Sequence, residues 1–97
     1  MRMLLTARMD TRTANEAIKT GALPQAIQGA VDQLQPEAVY FTSVGGRRAG
    51  LFFFDMQDPS QIPAICEPFF MELDADVEIK PVMDLDDLRK GLAALEG

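Results

Sequence analysis

The sequence predicts an α+β domain in the order β-α-β-β-α-β, with one further helix at its C-terminal end. The central observation is Ala49-Gly50-Leu51-Phe52-Phe53-Phe54-Asp55-Met56, the most concentrated apolar run in the chain. It has the length of a strand and is apolar on both alternating faces, so it must be covered on both sides. Two helical patterns and three further alternating stretches surround it. Connected by right-handed crossovers, they give an antiparallel sheet of spatial order 4-1-3-2, with this run in the interior.

The elements follow in order. Arg2 to Met9 alternates, with Met3, Leu5, Ala7 and Met9 opposed to Arg2, Leu4, Thr6 and Arg8, as a strand with one apolar and one mixed face does. Thr13 and Glu16 have the spacing of a capping box and predict a helix start. The apolar positions Ala14, Ala17, Ile18, Leu23, Ile27, Ala30, Val31 and Leu34 keep helical spacing, but Gly21 and Pro24 divide them into a short piece and a longer one. Pro36 closes the second piece and biases Gln35 toward extended geometry. Ala38 to Val44 is the second strand, and Gly45-Gly46 is a tight hairpin turn into the third. Ser60 is the expected cap of the next helix, whose buried stripe is Ile62, Ile65, Phe69 and Leu73 and which Pro68 should kink or shorten. Ala75 to Met83 alternates again as the fourth strand. Asp84 and Asp87 then open a last helix with Leu85, Leu88, Leu92 and Leu95 on one stripe.

Hairpin parity sorts the side chains onto two faces. The helices should cover Met3, Leu5, Val39, Phe41, Phe52, Phe54, Val77 and Ile79. The other face carries Leu4, Thr6, Arg8, Tyr40, Thr42, Leu51, Phe53, Asp55, Glu78, Lys80 and Val82. That mixture is too apolar for open water and too charged for a dry core. A second copy of the same sheet is the simplest cover, which makes Leu4, Thr6, Tyr40, Thr42, Leu51, Phe53, Lys80 and Val82 the expected homodimer interface.

Composition sets the outer limits. The 97 residues make one domain, 1–97, with 47% hydrophobic and 25% charged residues, ordinary values for a globular chain. No apolar stretch approaches the ~20 residues of a membrane span. The start is too short and too soon charged for a signal peptide, and the single Cys66 has no partner for an intrachain disulfide, so a cytoplasmic location is expected. A net charge of -6 and a pI near 4.4 oppose anionic membranes and phosphate backbones. RNA binding is rejected on a second ground too, because parity places Phe52 and Phe54 under the helices rather than on an exposed face.

Pro36-Glu37-Ala38-Val39-Tyr40-Phe41, Asp55 to Ile65, Glu67-Pro68-Phe69-Phe70 and Glu78-Ile79-Lys80-Pro81-Val82-Met83 resemble a set of small bacterial proteins of unknown function. Nearly the whole chain resembles the dimeric α+β barrel superfamily, in which two ferredoxin-like chains press their sheets together. The resemblance implies a homodimer. That superfamily includes small-molecule isomerases, polyketide cyclases and monooxygenases, stress-response proteins and many members with no assigned activity.

Six residues are candidates for contact with a small organic ligand. Tyr40 with Asp55 or Arg8 would form a polar cluster beside the sheet, Arg47 and Arg48 at the hairpin would clamp a carboxylate, and Glu67 beside Pro68 would point into a pocket. The plain readings are packing for Tyr40 and solvated charge for the others. Cys66 lies beside acidic Glu67 with no His in the chain, which disfavours a thiolate nucleophile. No dinucleotide, phosphate-loop, zinc or calcium spacing is present, so no cofactor or metal is expected. Any catalysis would rest on proton transfer by Tyr or a carboxylate. The reading is therefore a homodimer binding or transforming a small molecule in a cavity beside the sheet, with a noncatalytic structural or protein-interaction dimer as the alternative.

Overall fold

Leu5 and Phe52 stand opposite one another on adjacent strands and are almost completely removed from solvent, and the rest of the chain is arranged to keep them so. The computed structural model describes residues 1–96, and Gly97, the last residue of the expected domain, lies outside them. The elements are β1 (Arg2–Arg8), α1 (Thr11–Thr20), α2 (Ala22–Leu34), β2 (Ala38–Val44), β3 (Arg47–Asp55), a 3-10 turn (Pro59–Gln61), α3 (Ile62–Leu73), β4 (Asp76–Pro81) and α4 (Leu85–Ala93). All pairings are antiparallel and the order is β2-β3-β1-β4, the expected 4-1-3-2 read from the other edge. This is an α+β fold compatible with the ferredoxin-like class.

One sheet face is the core. Met3, Leu5, Ala7, Phe52, Phe54 and Met56 lie beneath Ala14, Ala17, Leu23, Ala30, Leu34, Ile65, Phe69 and Leu73 of the helices. Phe52 packs on Phe69 with ring centroids 5.6 Å apart. Phe41 shares this face by parity yet remains 54% exposed, because β2 is the edge strand and the helix layer stops short of it. Its ring meets Phe52 edge-on at 6.2 Å.

Local signals decide the boundaries, and several differ from those expected. Asp10, rather than Thr13, caps α1: its carboxylate accepts from the Thr13 backbone N–H and hydroxyl, both at 3.0 Å, which fixes the start three residues earlier. Gly21 ends α1 in the left-handed region (φ 81) and leads straight into α2. Pro24 is tolerated in the first turn of α2, where backbone N–H groups have no helical partner. Gln35 is left-handed rather than extended (φ 46), because it closes α2 as a left-handed cap whose N–H donates to the Val31 carbonyl. Asp58, not Ser60, opens the next segment, accepting from the Ser60 N–H at 2.9 Å while the Gln61 side chain accepts from the Asp58 N–H. α3 runs through Pro68 to Leu73 without being shortened. β4 is shorter than the expected 75–83, although the Val82 N–H still reaches the Arg2 carbonyl at 3.2 Å. Asp84 and Asp87 form the capping box that starts α4.

Candidate functional site

The face of the sheet turned away from the helices is built in rungs. Register aligns Ala38, Phe53, Leu4 and Lys80 across the four strands, then Tyr40, Leu51, Thr6 and Glu78, then Thr42, Ala49, Arg8 and Asp76. Successive rungs are two residues apart, about 6.6 Å. Leu4, Leu51, Phe53 and Val82 are half-buried there, while Tyr40 is 63% exposed and rests edge-on against Phe53 at 6.3 Å. Leu4, Thr6, Tyr40, Thr42, Leu51, Phe53 and Lys80 thus share one face as alternation expects, with Val82 beside its end.

The expected polar cluster does not assemble within one chain. Arg8 and Asp55 lie six residues apart in register, about 20 Å, at opposite ends of the face. Arg8 is held by Asp76, with Nη2 at 2.5 Å and Nε at 3.2 Å from one carboxylate oxygen. Its guanidinium lies over the hairpin, so close to Gly45 that a Cβ there would meet Nη1 at 2.8 Å. Asp55 takes the Met1 amino group at 2.5 Å and the Gln57 side-chain amide. The hydrogen bond and charge of that amino group hold its carboxyl below the usual carboxylate range.

The hairpin arginines turn away from the face. Arg47 lies 3.6 Å from Asp10 and Arg48 donates to Asn15 at 3.0 Å, so both reach toward the start of α1. Glu67 is exposed on α3, in the helix layer on the opposite side of the sheet. Cys66 is buried, and burial first, then the charge of Glu67, pushes its thiol pKa up.

Of the six candidates, Tyr40 alone faces the middle of the open face without an ion-pair partner. Glu78 and Lys80 join it there, neither within an ion pair among the described residues. The signal for both was in the sequence: Asp76-Val77-Glu78-Ile79-Lys80 alternates, and alternation puts Glu78 on the rung of Tyr40 and Lys80 on the next.

Of the hollows elsewhere, two are mainly apolar. A groove of about 560 Å³ runs between α2 and α3, floored by Ala26, Ala30, Phe69 and Leu73 and edged by Gln33 and Glu72; none of the six candidates touches it. A hollow of about 310 Å³ at the β2 edge is lined by Met9, Leu23, Ile27 and Phe41, with Arg48 at its rim. Among the described residues no three His, Cys, Asp or Glu side chains are grouped to hold a metal ion, and no helix is long and apolar enough to cross a membrane. No model of a known protein family matches the chain, and no curated protein is similar to it.

Proposed function

We propose that the chain acts as a cytoplasmic homodimer that joins its open sheet faces and holds a small, partly aromatic, carboxylated molecule in the space between them. The observation that carries this is the open face itself: Leu4, Leu51 and Phe53 form an apolar centre, and Tyr40 stands beside it at 63% exposure. An apolar surface of this kind, rimmed by polar groups, marks an interaction site rather than a solvated one. Packed face to face, two such sheets sit about 10 Å apart. A two-fold axis along the strands lays each β4 over the partner's β2, so the partner's Tyr40 comes over Glu78 and Lys80. The phenol, carboxylate and ammonium then surround an apolar floor, the lining a small-molecule site uses. Lys80 would take a ligand carboxylate, the rings of Phe53 and Tyr40 its apolar part. Proton transfer, if any, would fall to Tyr40 and Glu78. In the dimeric α+β barrel superfamily, which the sequence resembles, two chains likewise press their sheets together.

A second reading, a noncatalytic structural or protein-interaction dimer, is favoured by the Arg8–Asp76 and Met1–Asp55 ion pairs, which commit the rim charges within each chain. Native mass spectrometry of the purified protein, followed by a thermal-shift screen of aromatic carboxylates, separates the two. The ligand reading expects added mass on the dimer, or a compound raising the melting temperature by an amount that Tyr40→Phe or Lys80→Ala diminishes; binding to the native state alone at a hundredfold Kd stabilises by about 2.7 kcal/mol. A dimer that no compound shifts leaves the structural reading in its place.

A further inference from the structure

The two edges of the sheet are built differently. β4 reads Asp76-Val77-Glu78-Ile79-Lys80-Pro81, with alternate charges and a proline, devices that keep an edge from pairing with further chain. β2, at the other edge, reads Ala38-Val39-Tyr40-Phe41-Thr42-Ser43-Val44. It has no charge and no proline, it is rich in aromatic and β-branched residues, and Tyr40 to Val44 are all exposed. The register says which backbone groups are free. Gly45 and Gly46 both have positive φ (59 and 80), as a type I′ turn requires, and such a turn makes Val44 and Arg47 exchange both hydrogen bonds. The Arg48 carbonyl accordingly turns the other way and accepts from the Met9 N–H at 2.9 Å. By the same alternation Tyr40 and Thr42 bond inward to β3, and the N–H and C=O groups of Val39, Phe41 and Ser43 point outward, where no strand receives them.

A hollow and a cation lie beside those groups. On the helix side of β2 the Phe41 ring lies over Gly50, where a Cβ would come within 3.2 Å of it, and the ring forms one wall of the hollow of about 310 Å³ that Met9, Leu23 and Ile27 complete. Arg48, opposite Ser43 in register, borders the same hollow. It donates to Asn15 at 3.0 Å, and among the described residues no carboxylate lies within ion-pair distance of it. We infer that the β2 edge receives an extended peptide segment of a partner protein as a fifth, antiparallel strand. The segment's residue opposite Phe41 is apolar and enters the hollow, and its residue opposite Ser43, two positions earlier, is acidic and pairs with Arg48. Each part follows from a different feature of the edge. A row of outward donors and acceptors at strand spacing selects an extended chain, which neither a helix nor a small molecule can match. Alternate residues of such a chain stand about 6.6 Å apart on one face, so one side chain can fill the hollow while the next reaches the guanidinium. An unpaired guanidinium selects a carboxylate. The segment would lie in the plane of the sheet and leave the open face untouched, so the inference does not depend on the homodimer proposed above.

The probe is an end-capped heptapeptide, Thr-Asp-Thr-Leu-Thr-Val-Thr, which antiparallel pairing sets with Leu opposite Phe41 and Asp opposite Ser43. Added to the wild-type protein, it should slow hydrogen exchange at the Phe41 and Ser43 amides and leave those of Tyr40 and Thr42, already bonded to β3, unchanged. N-methylation of its Leu, whose N–H meets the Phe41 carbonyl, should weaken binding at least about tenfold, whereas N-methylation of the Thr that follows, whose N–H points to solvent, should not. Wild type should prefer this peptide to the one with Asn in place of Asp, and Arg48→Gln should abolish that preference. Exchange that no peptide concentration up to about 1 mM alters, or equal binding of the two N-methylated forms, would overturn the inference. An Asp preference that survives Arg48→Gln would overturn the pairing with Arg48. Phe41 and Ser43 amides already slowed without peptide, and more so as protein concentration rises, would assign the edge to a second copy of this chain instead.

Discussion

Phe52 and Phe53 are neighbours in sequence and opposite in environment, so substituting each in turn tests the assignment of the two sheet faces. Phe52 is 1% exposed and in ring contact with Phe41 and Phe69. Replacing it with Ala removes most of a buried aromatic side chain and leaves a cavity, at about 3–5 kcal/mol. That is a large part of the stability of a small domain, and a melting temperature about 12 °C or more lower follows. Phe53 is half-buried in the single chain, its edge contact being to exposed Tyr40. Phe53→Asp therefore leaves the protomer folded with the new carboxylate in water. Closing the two faces together would then bury an unpaired charge from each chain, at about 3–5 kcal/mol, or a few hundredfold or more in the dissociation constant. Sedimentation velocity from 1 to about 100 μM, alongside thermal melts, reads both effects. A Phe53→Asp protein that dimerises like wild type would refute the open face as the interface, and a Phe52→Ala protein with an unchanged melting temperature would refute the core.

Three further outcomes are expected. The carboxyls of Asp10, Asp58 and Asp84 are held below their ordinary range first by backbone N–H donors, from Thr13, Ser60 and Asp87 respectively, and that of Asp55 by the terminal amino group. The folded chain thus binds protons less readily than the unfolded one, so the stabilisation is full above the ordinary carboxylate range and is lost as pH falls from about 4 toward the folded values; melts as a function of pH should show this loss, and Asp84→Asn should flatten part of it. Gly46 sits at φ 80 with open space around it, so Gly46→Ala should cost about 1 kcal/mol by backbone strain alone while Gly46→Asn costs less, and equal melting temperatures for the two would contradict this. Cys66 should react with a thiol reagent at pH 7.5 only on unfolding, since burial and Glu67 both disfavour its thiolate; prompt labelling of the native protein would show otherwise.

Alternation and turn chemistry made the fold legible. Gly45-Gly46 fixed the β2–β3 register, and from it followed which of Phe52 and Phe53 would be buried. The helix starts were less legible, because Asp10 and Asp58 stand three and two residues before Thr13 and Ser60 as competing caps, and each takes the backbone N–H of the residue that was expected to be the cap. The candidate site was least legible. Arg8, Asp55, Arg47 and Arg48 each find a partner far away in sequence: Asp76 lies 68 positions from Arg8, and Met1 54 from Asp55. Such partners depend on strand order and register together, which no local pattern contains. Tyr40, Glu78 and Lys80 remain because their strands are the two edges of the sheet, too far apart to pair with one another in one chain.

That separation is what a second copy would resolve. The polar groups of the open face stand on β2 and β4, three strand spacings or about 14 Å apart. No rearrangement of side chains within one protomer can bring Tyr40 to Glu78, since the sheet itself holds these groups apart. A second copy related by an axis along the strands would lay β2 over β4 and complete the ligand site from two chains. Phe53→Asp should therefore weaken association and ligand binding together, read by sedimentation and by thermal shift on the same samples. A Phe53→Asp chain that is monomeric and still binds the compound as tightly as wild type would place the site within one protomer instead.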